Sequence, residues 1–277
     1  MDKNYNKMMR QSLKMSGMSE QQIDAMLAMQ SEAIKNFDST AFQSQMDALA
    51  DALGNKDIGD MMEGSESLFE FAKSPSINES YRWAVACGAD LIHLRSDIVN
   101  DLSTGTDRDI CVEMLKEQWG ISRKEDFTSM AESLKKGRHS AVYAQLAAGG
   151  SAGDYAEEAK NLKEAKKLFK REGLTDGGIP NMAAWDLGRL VNVSRWAFDA
   201  GIITRPVALK YLREAALLVK KHYTSWRELS VGYQFGRAVW GGVEDYEELK
   251  EGMEELLTEK DSPWVTLPFD LVLKFED

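Results

Sequence analysis

Ala184-Trp185-Asp186-Leu187-Gly188-Arg189 sits inside a stretch, 181–199, that reads as one helix. Asp186 and Arg189 are three apart, and Leu190 and Val193 continue their line; positions three and four apart share a helix face. A charged pair flanked by apolar residues is half-buried or lies at the rim of a cleft. Gly188 costs about 1 kcal/mol of helix propensity relative to Ala. That cost is tolerable where a neighbouring helix approaches the backbone closely.

A second stretch, 226–239, supplies such a neighbour. Gly232 and Gly236 form a small-x-x-x-small pair, with Tyr233, Arg237 and Trp240 at nearby positions. That spacing permits close helix–helix contact, although it is best attested in membranes. If the two glycine-bearing faces meet, Arg237 reaches Asp186, and a guanidinium sets five donors against a carboxylate. Two readings of these residues stand. One is an architectural ion-pair network with tryptophan caps, whose burial is not clearly stabilising because desolvation is costly. The other is a ligand cleft walled by Trp185, Trp226, Tyr233 and Trp240, with Arg189 and Arg237 as anion-recognising forks. Asp186 is a weak candidate for an acid or base within it.

Outward from these helices the chain continues in the same manner. Asn78 caps a helix through about Leu94. Thr106 with Asp109 starts the next, which ends near Trp119-Gly120. Ser122 with Glu125 reads as a capping box for a helix to about Lys136. Helices follow over 140–148, 154–171, 205–223 and 244–259, with Thr204 and Ser225 placed as N-caps and Glu228 completing a box with Ser225. The tail 265–273 is apolar and packs back as an extended segment. No strand pattern is long enough to build a sheet. The expected fold is all-α.

Residues 1–76 form a methionine-rich helical extension, with ten of the fourteen methionines in the first 62 positions. Ser74-Pro75-Ser76 breaks that pattern, since proline disfavours helix in the residue before it. Two regions are therefore expected, 1–76 and 77–277. Methionine fills irregular gaps and suits adaptable grooves, so the extension reads either as packing material or as a docking element for a regulatory adaptor.

The 277 residues carry a net charge of −11. That balance opposes nonspecific nucleic-acid binding and adhesion to anionic lipid. The charge is uneven. Residues 1–76 hold 7 basic and 12 acidic groups, residues 244–261 hold 2 and 9, and the last sixteen residues hold 1 and 3, which leaves residues 77–243 at +3. A small anionic ligand or an acidic protein partner suits that middle region. Cys87 and Cys111 are two thiols in apolar helical patterns, too few for a disulfide framework. The polar N-terminus has no apolar region behind it, and no stretch approaches the roughly 20 apolar residues of a membrane span. The expected setting is the cytoplasm.

Several chemistries are disfavoured. Gly149-Gly150-Ser151-Ala152-Gly153 matches a nucleophile elbow in letters alone, because the preceding segment is helical and that motif needs a strand. His93, His139 and His222 are far apart and none has a second ligand at metal spacing, so each reads as a helix-surface or helix-end residue. No phosphate-binding loop or dinucleotide fingerprint is present. No metal and no cofactor is expected, and a binding role is favoured over catalysis.

The combination of Trp119-Gly120-Ile121, Leu134-x-x-Gly137-Arg138-His139, Trp185 to Arg189, Ala200-Gly201-Ile202-Ile203, Ser225-Trp226 with Gly232, Gly236, Arg237 and Trp240, and Ser262-Pro263-Trp264 resembles a bacterial family known as domain of unknown function 1266. The resemblance spans roughly residues 78–270. It implies a mostly helical domain and brings no catalytic residue with it.

Overall fold

A computed structural model describes residues 70–92, 97–244 and 246–275. The chain divides into two compact units, Met1–Glu66 and Ser67–Asp277, and every described residue belongs to the second. The readings made for residues 1–69 lie outside the described residues.

The second unit is all-α. Its helices are α1 (Glu79–Ala86), α2 (Ala89–Ile92), α3 (Arg108–Trp119), α4 (Lys124–Lys135), α5 (Ser140–Ala147), α6 (Ala156–Arg171), α7 (Ala183–Asp199), α8 (Arg205–His222), α9 (Trp226–Gly241), α10 (Tyr246–Thr258) and α11 (Pro263–Thr266). Among the described residues the one β-type pairing is an isolated bridge between Glu70 and Ile98. No described helix is long and apolar enough to cross a membrane.

α7 is the hub. It packs against α8, α9, α4 and α3, with α2 and α5 at its flanks. A helix surrounded in this way has no polar face to spare, and most of α7 is buried, Asp186, Asn192 and Arg195 included. The close approach expected at its glycine is met by α9. Cβ atoms added at Gly236 and Gly188 would lie 2.5 Å from Trp185 Cβ and 3.3 Å from Tyr233 Cδ2 respectively. Each helix thus seats an aromatic ring over the other's glycine, and the two rings lie 5.3 Å apart.

Several ends form as the sequence predicts. Asn78 accepts from Tyr81 N, and Ser225 accepts from Glu228 N. Trp119 ends α3, and Gly120 follows in the left-handed region at φ 65°. Others shift by a residue. Asp107 rather than Thr106 caps α3, and Asp126 rather than Glu125 reaches back to the Ser122 and Arg123 amides. The helix expected from Asn78 to Leu94 breaks at Cys87-Gly88. There the Gly88 carbonyl accepts from Asn192 Nδ2 at 2.7 Å, and a side chain at 88 would strike that same amide. The segment 70–76 is tied down too: Asn100 bonds both backbone groups of Ala72, and Asp101 accepts from Ser76.

Candidate functional site

The N-terminal half of α7 gathers the predicted residues. Asp186 is 1% exposed, so an ionised carboxylate there needs donors. They come from the start of α5. Ser140 N donates to Asp186 Oδ2 at 2.8 Å and His139 N at 3.0 Å, while His139 Nδ1 lies 3.1 Å from Oδ1. α5 has no side-chain cap of its own at His139. Asp186 caps it from another helix, where a negative charge meets the positive end of the helix dipole. Burial pushes the Asp186 carboxyl upward, but the bonds from His139 and Ser140 outweigh it and hold the group below the ordinary carboxylate range.

Arg189 lies one turn on. Its guanidinium stacks between Trp185, at 4.6 Å from the ring centroid, and Trp119, at 4.9 Å. Its Nη1 is 2.9 Å from His139 Nδ1 and 3.9 Å from Asp186 Oδ1. Of its five N–H donors, one has a partner among the described residues, His139 Nδ1, which accepts from Arg189 only in the tautomer that has no Nδ1 proton to give Asp186. The side chain is 13% exposed, so its remaining donors are not sealed. Burial lowers the Arg189 pKa, and the charge of Asp186 opposes that.

Two further donors lie beside it. Trp185 Nε1 and Tyr143 Oη are buried and have no hydrogen-bond partner among the described residues. Buried polar groups are almost always paired, and leaving one unpaired costs about 1–3 kcal/mol. Burial raises the Tyr143 pKa beyond the normal phenol range, with Glu158 adding to the rise and Arg189 opposing it. Trp240 is 49% exposed and covers Trp185 at 5.8 Å, with Arg237 over its outer ring at 5.2 Å. Tyr233 is buried beneath, and desolvation pushes its phenol well up.

Five of the six predicted residues, Trp185, Arg189, Tyr233, Arg237 and Trp240, therefore share one neighbourhood. Trp226 does not join them. It stacks on Trp264 at 5.7 Å and 6°, lies 4.9 Å from both Trp83 and Phe269, and donates to Leu267 O. Its cluster is a satisfied core: Trp83 Nε1 donates to Pro268 O and Trp264 Nε1 to Ala86 O. Asp186 takes its donors from α5 and its nearest guanidinium from Arg189; Arg237 lies instead against Trp240 and Gly241. The neighbourhood is packed rather than hollow. Asp186 also touches a cavity of about 550 Å³ on its far side, walled by Leu134, Ala144, Ile179, Met182, Leu187 and Leu218.

The sequence reading left out Trp119, Ser140 and Tyr143 and placed His139 at a helix end without a role. The signal for the last was present in Gly137-Arg138-His139. Gly137 holds φ 81°, a left-handed turn just before the His139 and Ser140 amides that bond Asp186 on α7. Both cysteines are buried and neither forms a disulfide.

No curated protein and no solved structure matches the chain. Residues 114–269, from within α3 to just past α11, match the family model described as "Protein of unknown function (DUF1266)". That span is more than half of the chain and includes Arg189, its stacking partners and the α5 cap, and the protein belongs to this family.

Proposed function

We propose that this unit is a binding module for an anionic, acceptor-rich group, a carboxylate or a phosphate, taken up beside Arg189. The observation that carries this reading is the surplus of donors. Arg189 stacks on Trp185 and faces His139, whose ring lies 6.2 Å from that of Tyr143; among the described residues the Trp185 indole N–H and the Tyr143 hydroxyl have no hydrogen-bond partner and Arg189 has one. An anion supplies what they lack: several lone pairs on a planar or tetrahedral head that a guanidinium fork can grip. Trp240 and Arg237 form the outer edge of the seat. Cys87 and Cys111 are buried and form no disulfide, which fits a reducing compartment, and we propose the cytoplasm as the setting of this role.

Catalysis by Asp186 is the weaker reading. A carboxylate that already accepts from two backbone amides and faces a histidine is a poor base, and its lowered pKa makes it a poorer acid at neutral pH. Its geometry is that of a support holding α5 and His139 in place around Arg189.

The test is a thermal-shift screen with di- and tricarboxylates and phosphate esters. A ligand at about 100 times its Kd adds about 2.7 kcal/mol, equal to several degrees in Tm for a domain this size. The shift is expected to vanish in Arg189→Lys, which keeps the charge but loses the fork, and to shrink in Trp185→Phe. A screen with no shift, or a shift untouched by both variants, contradicts the reading.

A further inference from the structure

α6 and α10, which meet near Phe169 and Tyr246, carry exposed stripes of opposite charge. On α6, Lys163, Lys166, Lys167 and Lys170 fall at i, i+3, i+4 and i+7, which is one helix face. All four are exposed. On α10, Glu247, Glu251 and Glu254 fall at i, i+4 and i+7 and are exposed as well. None of these seven groups forms an ion pair among the described residues, although salt bridges occur elsewhere on the same helices. Like charges at i and i+4 repel. Lys163 with Lys167, Lys166 with Lys170, and Glu247 with Glu251 each keep such a repulsion.

Both helices pack on α9, and the C-terminal end of α6 meets the N-terminal part of α10. Lys250 on α10 pairs with Glu172 at the end of α6 at 3.4 Å, and Phe169 meets Tyr246 at 5.7 Å. A groove of about 430 Å³ lies where they meet, with Glu164, Lys167 and Arg171 on the α6 bank and Glu247 on the other. A second hollow, of about 550 Å³, continues across Lys163, Lys166 and Lys170 to Asp176 and Gly177.

We infer that this bipolar face is the contact between two copies of this chain. A two-fold axis along the groove turns a positive stripe beside a negative one into its own complement. α6 of one copy meets α10 of the other, and the reverse contact forms at the same time. An anionic partner such as a nucleic-acid backbone or lipid surface would satisfy the lysines but press against the glutamates. A second copy satisfies both and relieves the repulsion within each helix. Two helices of 16 and 13 residues are about 24 and 20 Å long, which places the face near the small end of specific interfaces. The dimer is therefore salt-sensitive rather than obligate.

Sedimentation velocity of the full chain tests this at about 20 mM and about 500 mM salt, where the screening length falls severalfold. Dimer is expected at low salt, with at least a tenfold weaker Kd at high salt. Reversing the α6 stripe (Lys163→Glu, Lys166→Glu, Lys167→Glu, Lys170→Glu) or the α10 stripe (Glu247→Lys, Glu251→Lys, Glu254→Lys) should leave each variant monomeric with an unchanged circular dichroism spectrum. Mixing the two reversed variants should restore a dimer containing one of each, because every contact is then opposite in sign. A monomeric wild type at low salt and high concentration overturns the inference. So does a dimer that survives either reversal, a mixture that fails to associate, or a monomer that instead binds anionic vesicles or duplex DNA. If a reversed stripe prevents folding, the single reversals Lys166→Glu and Glu251→Lys carry the same mixing test.

Discussion

The two halves of α7 hold the same three residue types and treat them differently. In the C-terminal half, Arg195 donates to Leu102 O, Ile98 O, Ser103 O and Asn192 Oδ1. Trp196 Nε1 donates to Asp97, and Asp199 accepts twice from Thr104. In the N-terminal half, Asp186 is satisfied, but Arg189 has one bond and Trp185 Nε1 has none. One half spends its polar groups on holding the 97–106 loop against the core. The other leaves a buried indole N–H unpaired beneath a half-exposed tryptophan. The difference teaches that a Trp, Asp and Arg set on a buried helix is not in itself a site. The balance of donors and acceptors is what tells the two halves apart.

The sharpest way to break this contrast is to remove each guanidinium. Arg195→Met strands three carbonyls and an amide in a fully buried place, and should cost about 3–5 kcal/mol. Arg189→Met should cost about 1 kcal/mol or less, since it removes one hydrogen bond and a stack while the ring partners remain. Urea unfolding measures both, and equal losses would erase the distinction.

Buried carboxyls extend the comparison to pH. Asp90 on α2 accepts from Ser230 at 2.6 Å, yet burial raises its pKa from 3.8 to about 7. The folded state therefore binds that proton more tightly than the unfolded chain does. Its contribution favours folding below pH 4 and is lost as pH rises from about 4 through 7. Asp186 has the opposite sign: its lowered pKa stabilises the fold above the ordinary carboxylate pKa and fails below it. Asp90→Asn should flatten the decline in stability between about pH 4 and 7, by up to about 3 kcal/mol in order of magnitude. An unchanged slope would show that Asp90 does not set it.

The indoles give a smaller effect. Trp196→Phe and Trp185→Phe lose a similar amount of ring, but only the first breaks a bond, the 2.9 Å contact to Asp97. The first should be the more costly by about 1–2 kcal/mol.

Much of the fold was legible in the sequence. Apolar spacing and caps placed α7 and α8 within two residues of their observed ends, and the glycine pairing of α7 with α9 followed from Gly188 and Gly236 alone. Long-range polar pairing was not legible. Asp186 finds its donors at Ser140 and His139, 46 and 47 positions away; Gly137 marks the turn there, but nothing local names the carboxylate that the turn faces. Trp226 carries the same aromatic signal as Trp185, but its indole N–H meets the Leu267 carbonyl, which only the folded tail supplies. Arg195 was passed over because its partners are backbone carbonyls, and those have no signature in sequence.

The most direct measurement is the equilibrium stability of Tyr143→Phe, read beside Tyr223→Phe as its control. Tyr223 Oη accepts from Ala184 N and donates to Asn181 O, both at 2.7 Å, so its loss should cost about 2 kcal/mol. Tyr143 Oη has no such partner among the described residues, and removing it should raise stability by about 1 kcal/mol. A Tyr143→Phe protein that is destabilised as much as Tyr223→Phe would show that the hydroxyl is already satisfied, and that the Arg189 neighbourhood is closed architecture like the other half of the helix.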